Sequence, residues 1–281
     1  MRGYHRPLTS VLVVLLALAA SAGRAQTVPL TEAALATDQE REAFLKTARI
    51  VARRVAPSGV TMSIRATLAD GTFTHDAHIQ QVDVSKDLLA AGKASEAGFR
   101  DSYQFNIAAY RLARLLGVQN VPVSVPRDIN SKPAAFTWWI DDVVMDEKTR
   151  VSRREYGATP LRTVNQLLNM QIFDELIQNR DRNRGNVLWT RDWRLWLIDH
   201  TRAFRLQRDL LKPDQLARVE GALLDRLRAL READVMSELT RDGTISEAQA
   251  SAVLARRDRI VKHFDQRIAR LGEAAVLFTL E

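Results

Sequence analysis

The chain has no cysteine among its 281 residues. Thiol nucleophiles and cysteine-based zinc sites are excluded, and an exported form would have to rely on packing without disulfides. Other signatures are absent too. There is no G-x-S-x-G, no H-E-x-x-H and no Walker lysine loop, which removes the usual serine hydrolases, zinc proteases and P-loop ATPases. The sequence has no internal repeat and no low-complexity stretch. It also lacks the clustered basic surface of a nucleic-acid binder, so nucleic acid is not an expected partner.

What is present begins at the amino terminus. Arg2 and Arg6 precede an apolar run from Val11 to Ala20, followed by the small-residue groups Ala20-Ser21-Ala22 and Gly23-Arg24-Ala25. This pattern is a secretory leader, residues 1–25, with cleavage expected after Ala25. The run falls short of the roughly 18 apolar residues a span needs, so no stable membrane span is expected after cleavage. Loss of the leader removes three arginines and no acid, which lowers the formal charge from +7 to +4. The remaining chain is mildly basic, exported to the periplasm or beyond the cell, and compatible with an anionic ligand such as a nucleotide. Its 46% hydrophobic content supports one large domain or two lobes around a cleft.

Periodicity divides the rest. Apolar positions from Thr37 to Val55 recur at helical spacing and stop at Pro57-Ser58-Gly59. Thr61 to Leu68 alternates, Asp70-Gly71 makes a turn, and a second extended run passes Phe73, Ile79, Val82 and Val84, which reads as a β-hairpin. A helix is expected over Phe99 to Leu116 with Gly117 as its cap, then an extended stretch from Val121 to Val125. Ala134 to Ile140 reads as an edge or connecting strand. Thr159-Pro160 opens a helix through Ile177. Two short strands, Val187 to Trp189 and Leu195 to Ile198, come after a polar loop. Helices are expected at Pro213 to Leu230, near Ala233 to Leu239, and from Ser246, where Ser246 and Gln249 form a capping box. The fold class expected is α+β, a small mixed part over 36–140 and a mostly helical part over 141–281, with a cleft between them.

The loop from Asn179 to Asn186 packs three asparagines, three arginines and Asp181 between a buried-looking helix and a buried-looking strand. Asp199 ends the second strand, so a hairpin of this length brings Asn186 and Asp199 to one end. Such a set suits phosphoryl transfer: Asp181 to orient and deprotonate an acceptor hydroxyl, Asn186 and Asp199 to hold a metal against nucleotide phosphates. A solvated charged turn is the plain alternative.

The stretch I-F-D-E-L-I-Q-N-R-D-R-N-R-G-N-V-L-W, with L-W-L-I-D-H-T-R-A-F, resembles the catalytic and metal-binding loops of atypical kinases. These include the secretory-pathway kinases (Golgi casein kinase and four-jointed), the HipA toxin kinases and the phosphoinositide kinases. The resemblance implies a two-lobed protein-kinase-like fold that binds ATP with Mg or Mn. It assigns Asp181 as catalytic base and Asn186 and Asp199 as metal ligands. Upstream, F-N-I-A-A-Y-R-L-A-R-L-L-G resembles the αC helix of those families, with Asn106 where a glutamate usually stands. H-I-Q-Q-V-D-V resembles the strand that carries the ATP-binding lysine, with Gln80 or Gln81 at that position and Lys86 a few residues later. Trp139, beside Trp138, falls where a hinge would touch adenine, with core packing as the other reading. The resemblance covers about residues 60 to 205.

Gln81, Lys86, Asn106 and Trp139 are therefore the expected nucleotide-binding set. The implied function is a phosphotransferase moving the ATP γ-phosphate to a hydroxyl of a protein, peptide or glycan. The alternative is a pseudokinase that binds a nucleotide or partner, because both members of the lysine and glutamate pair are amides. His75 and His78, three apart on a strand, face opposite ways and cannot easily share a metal. Arg180, Arg182 and Arg184 either bind an acidic acceptor or sit on a solvated loop.

Overall fold

The computed structural model describes residues 37–55, 63–91 and 94–280, with backbone only at 55, 86–91 and 94–98. The leader and its cleavage site lie outside the described residues. Among the described residues no helix is long and apolar enough to cross a membrane.

Helix α1 (Asp38–Thr47) starts at a capping box in which Thr37 accepts from the Glu40 N–H while Glu40 reaches back to Thr37. The helix expected through Val55 ends there. Residues Arg49–Val55 are instead strand β1, paired antiparallel with β2 (Ile64–Ala69). Their β-branched Ile50, Val51 and Val55 suit a strand, and Arg49, Arg53 and Arg54 guard the exposed edge. β3 (Thr74–Gln80) completes the expected hairpin, with Asp70 accepting from the Thr72 and Phe73 N–H groups across the turn.

A hairpin without a sequence signal comes next, β4 (Asp83–Ala91) and β5 (Ala94–Ser102). It takes Phe99 from the expected helix, so α2 spans only Gln104–Leu115, ending at Gly117 with φ +60°. β6 (Ser124–Ile129) and β7 (Lys132–Trp138) form a tight hairpin whose turn residues Asn130 and Ser131 both have positive φ. β7 is not an edge strand. The sheet order is β1-β2-β3-β7-β6, which places β7 inside it with Ala134, Ala135 and Phe136 fully buried.

β8 (Val143–Asp146) and α3 (Glu147–Arg153) precede α4 (Pro160–Ile177). β9 (Val187–Thr190) and β10 (Leu195–Leu197) pair antiparallel, and β8 joins β9. The helix expected over Pro213 to Leu230 is shorter: β11 (Val219–Glu220) leads into α5 (Gly221–Ala229). Then come α6 (Glu232–Thr240), α7 (Glu247–Leu271), whose Ser246–Gln249 capping box is formed, α8 (Glu273–Val276) and β12 (Leu277–Phe278). A sheet-rich amino-terminal region thus meets a helical carboxy-terminal region. One apolar core runs through both, from Phe44, Leu68 and Phe136 to Phe173, Trp189 and Phe264.

Candidate functional site

The loop after α4 is built by its own side chains. Gln178 turns the chain with φ +51° and donates to the Gln207 and Asp209 carbonyls. Asn179 donates to Asp174 and accepts from the Asp181 N–H. Arg182 clasps the loop: its guanidinium holds Asp174 at 3.0 Å, the Asn186 carbonyl at 3.0 Å and the Ile198 carbonyl at 2.7 Å. It is therefore a structural arginine, whereas Arg180 and Arg184 are exposed.

The register Val187↔Leu197 aligns the ends of the β9–β10 hairpin. Ile198 donates to the Asn186 carbonyl, so Asn186 and Asp199 leave the hairpin at the same end. Asp199 takes φ +54°, a left-handed conformation that turns its carboxylate out of the strand direction. Its Oδ2 lies 3.5 Å from Asn186 Nδ2, and its Oδ1 accepts from the Thr201 hydroxyl at 3.0 Å. A half-turn of the Asn186 amide about its last side-chain bond brings its oxygen beside the carboxylate. Two oxygen donors then face one point, which suits a hard divalent cation. Among the described residues no group of three or more acidic or histidine side chains is arranged to hold an ion.

Above this floor lies a cavity of about 440 Å³. His78 and Gln80 line its roof from β3, Asn106 its inner wall from α2, and Trp139 and Ile140 its back edge. Gln80 and Asn106 are both buried, and the Asn106 amide donates to Gln80 Oε1 at 2.7 Å. Asn106 Oδ1 in turn accepts from the His200 N–H at 2.8 Å. One side chain thus ties β3, α2 and the Asp199 segment together. No lysine or arginine lines the cavity among the described residues.

Gln81 is a correction. It stands just past β3, exposed, donating to the Lys132 carbonyl, because successive residues of an extended chain face opposite ways and Gln80 takes the inward side. The backbone of Lys86 pairs with Phe99 in β4, while its side chain lies outside the described residues. Trp139 borders the cavity, but its N–H is bonded to the Asp76 carbonyl and its ring lies 4.0 Å from the Arg65 guanidinium. Trp138 is core, stacked on His75 at 3.8 Å. His75 itself is satisfied by Asp141 and the Asp76 carbonyl.

Asp181 does not line the cavity. It stands partly exposed, with Oδ2 3.3 Å from Arg202. Sequence reasoning missed that arginine, and it missed Asp101, on β5, as well. Burial pushes the Asp101 carboxyl up; Asp199 and Asp181 add to the rise, against a Thr201 hydrogen bond and Arg202. Burial pushes His200 well down, with Arg182 adding to it, and pushes His78 down against the pull of Asp199. Burial thus disfavours the charged form of both histidines and of Asp101.

No protein-family model matches the sequence, and no curated protein matches it. Solved structures do. A crystal structure of the Golgi casein kinase with Mn/ADP bound superposes with TM-score 0.65 at 15% identity, covering 85% of this chain and 78% of that one. The structure of hydra Fam20 with sugar gives TM-score 0.65 at 14% identity, covering 89% of this chain and 93% of that one. The chain has a kinase-like fold. Gln80 and Asn106 on its cleft wall are bonded to each other, and among the described residues no lysine or arginine lines the cavity.

Proposed function

We propose that the protein is an exported, kinase-like phosphotransferase that moves the γ-phosphate of ATP to a hydroxyl of a protein, peptide or glycan. Asp181 orients the acceptor hydroxyl and takes its proton. Asn186 and Asp199 would hold Mg or Mn against the nucleotide phosphates, where a divalent ion supplies the charge neutralisation this reaction class depends on. The observation that carries the reading is the approach of Asn186 to Asp199, 3.5 Å apart under a 440 Å³ cavity. The donors are oxygens from an amide and a carboxylate, which fits these ions. Export rests on the leader pattern at residues 1–25.

A second reading, nucleotide binding without catalysis, is supported by the bond between the amides Gln80 and Asn106, which on the resemblance stand in the places of the lysine and glutamate pair. The first test is thermal shift of residues 26–281 with ATP, with and without Mn, beside Asp199→Ala. Metal-dependent stabilisation that disappears in the variant is the expected result. Absence of any shift in both proteins refutes both readings. Stabilisation with no phosphate transfer to any hydroxyl acceptor or to water leaves the second.

A further inference from the structure

His78, on β3, lines the roof of the cleft cavity, and no hydrogen bond or ion pair engages its imidazole among the described residues. The other histidines of the fold differ. His75 is bonded to Asp141 and the Asp76 carbonyl, and His263 to the Leu216 carbonyl. His200 leaves Nε2 unbonded, but packing closes that atom off, whereas His78 is only half-buried. Arg65, the β2 neighbour of His78, is taken up by Asp76 at 2.6 Å. A side chain with two unused polar atoms thus faces a cavity large enough for a ligand.

Its place along the roof is fixed by register. Alternation on β3 turns His78 and Gln80 to the cleft together, about 7 Å apart. Gln80 stands at the Asp199 end, because Asn106 bonds both Gln80 and the His200 N–H. His78 stands nearer the back edge: its partner on β7 is Thr137, two residues before Trp139. Thr137 pairs in turn with Ser124 on β6, and their hydroxyls are bonded at 2.9 Å. Register partners share a face, so three polar side chains form a row across β3, β7 and β6. Ile140, Leu188 and Ile198 give the same cavity apolar walls that suit the flat face of a base. With phosphates over Asn186 and Asp199, the rest of a nucleotide extends toward His78.

We infer that His78 is the base-recognising residue of the cleft, hydrogen-bonding the nucleobase through its ring nitrogens. This rests on a nucleotide occupying the cavity, which both readings above require. Burial favours the neutral imidazole, in which one nitrogen donates and the other accepts. The edge of a nucleobase likewise sets donors beside acceptors, so the two can bond without any change of charge.

The test is an equilibrium one and needs no acceptor hydroxyl. Affinities of the intact protein for Mn·ATP and for the Mn complex of an abasic ribose triphosphate, which keeps sugar and phosphates, are measured by calorimetry. Wild type is compared with His78→Phe, which keeps a flat ring without nitrogens, and with His78→Ala. Both variants are expected to lose on the order of tenfold in ATP affinity while their affinity for the abasic triphosphate stays unchanged. An unaltered ratio of the two affinities in His78→Phe overturns the inference and leaves nucleotide binding in place. Equal binding of both ligands by wild type overturns it as well. If His78→Phe does not fold, the same ratio in His78→Ala decides. Failure of wild type to bind either ligand overturns this inference and the readings it rests on.

Discussion

Restoring the charged pair, by Gln80→Lys together with Asn106→Glu, tests directly whether the β3 roof faces phosphate. The two side chains are 3% and 6% exposed and bonded at 2.7 Å, so either substitution alone buries a charge against a neutral amide. Such an uncompensated charge costs about 3 kcal/mol or more. In a domain of this size that is a loss of roughly 6–12 °C in Tm. Together the new ammonium and carboxylate face each other, and the double variant is expected to recover about 1–3 kcal/mol relative to the sum of the singles. The gain of function comes from the same charge. At an effective permittivity of about 20, an ammonium about 4 Å from a phosphate charge contributes about 4 kcal/mol gross. Its own desolvation and the competing carboxylate reduce this to about 1.4 kcal/mol, or about tenfold in affinity. Calorimetric titration with ATP in EDTA measures it. A double variant that folds but binds metal-free ATP no better than wild type refutes the placement of Gln80 over the phosphates.

Arg182→Ala should lower stability by about 3–5 kcal/mol, because Asp174 is left buried without its cation and two carbonyls lose their donor. Arg180→Ala, at an exposed neighbour, should stay within about 0.5 kcal/mol by the same urea titration; equal losses would show that the clasp contributes nothing. Arg111→Met removes donors to the Glu238 and Arg241 carbonyls, Thr244 and Asp242, and should speed amide exchange across α2 while leaving α4 unchanged. Stability should also fall with acid. His78 and His200 are held below their ordinary value in the fold, while the unfolded chain protonates both near 6.5. As pH drops below about 6.5 the unfolded state gains protons the native state refuses, at up to about 1.4 kcal/mol per pH unit for each histidine. His200→Gln should flatten that slope between pH 7.5 and 5.5, and an unaltered slope would remove His200 as its source.

Local signals were read correctly where nothing competed with them. The capping box at Ser246, the proline-led helix α4 and the β9–β10 hairpin each depend on residues a few positions apart, and each formed as expected. Arg49–Val55 went the other way because its apolar spacing fits a helix or a strand, and the choice was made by pairing with Ile64–Ala69. Gln80 and Gln81 differ by one residue, so only strand register separates them; Gln80 pairs with Ala135, a partner no local pattern names. Asp101 carries no motif, and Arg202, about a hundred positions later, lies within one that assigns it no role. They approach each other because β5 ends in a backbone bond to Thr201, a contact set by the whole fold. Asn186 and Asp199 were legible for the opposite reason, since a short hairpin alone sets their separation.

The lysine and glutamate pair of active kinases does two things: it brings charge to the phosphates and it ties the αC helix to the sheet. In this chain α2 is tied to the sheet without charge. Asn106 bonds Gln80 on one side and the His200 N–H on the other. At the far face of α2, buried Arg111 holds the α6–α7 junction through two carbonyls, a hydroxyl and Asp242. The helix is therefore fixed against the sheet by neutral bonds and against the helical region by Arg111. On the phosphotransferase reading the amides take away the positive charge of a roof lysine together with its glutamate partner, and leave the helix tied to the sheet. That charge would be supplied, on the same reading, by a divalent ion held at Asn186 and Asp199. Such an arrangement makes nucleotide affinity steeply dependent on metal, whereas a lysine in the roof would leave a metal-independent component.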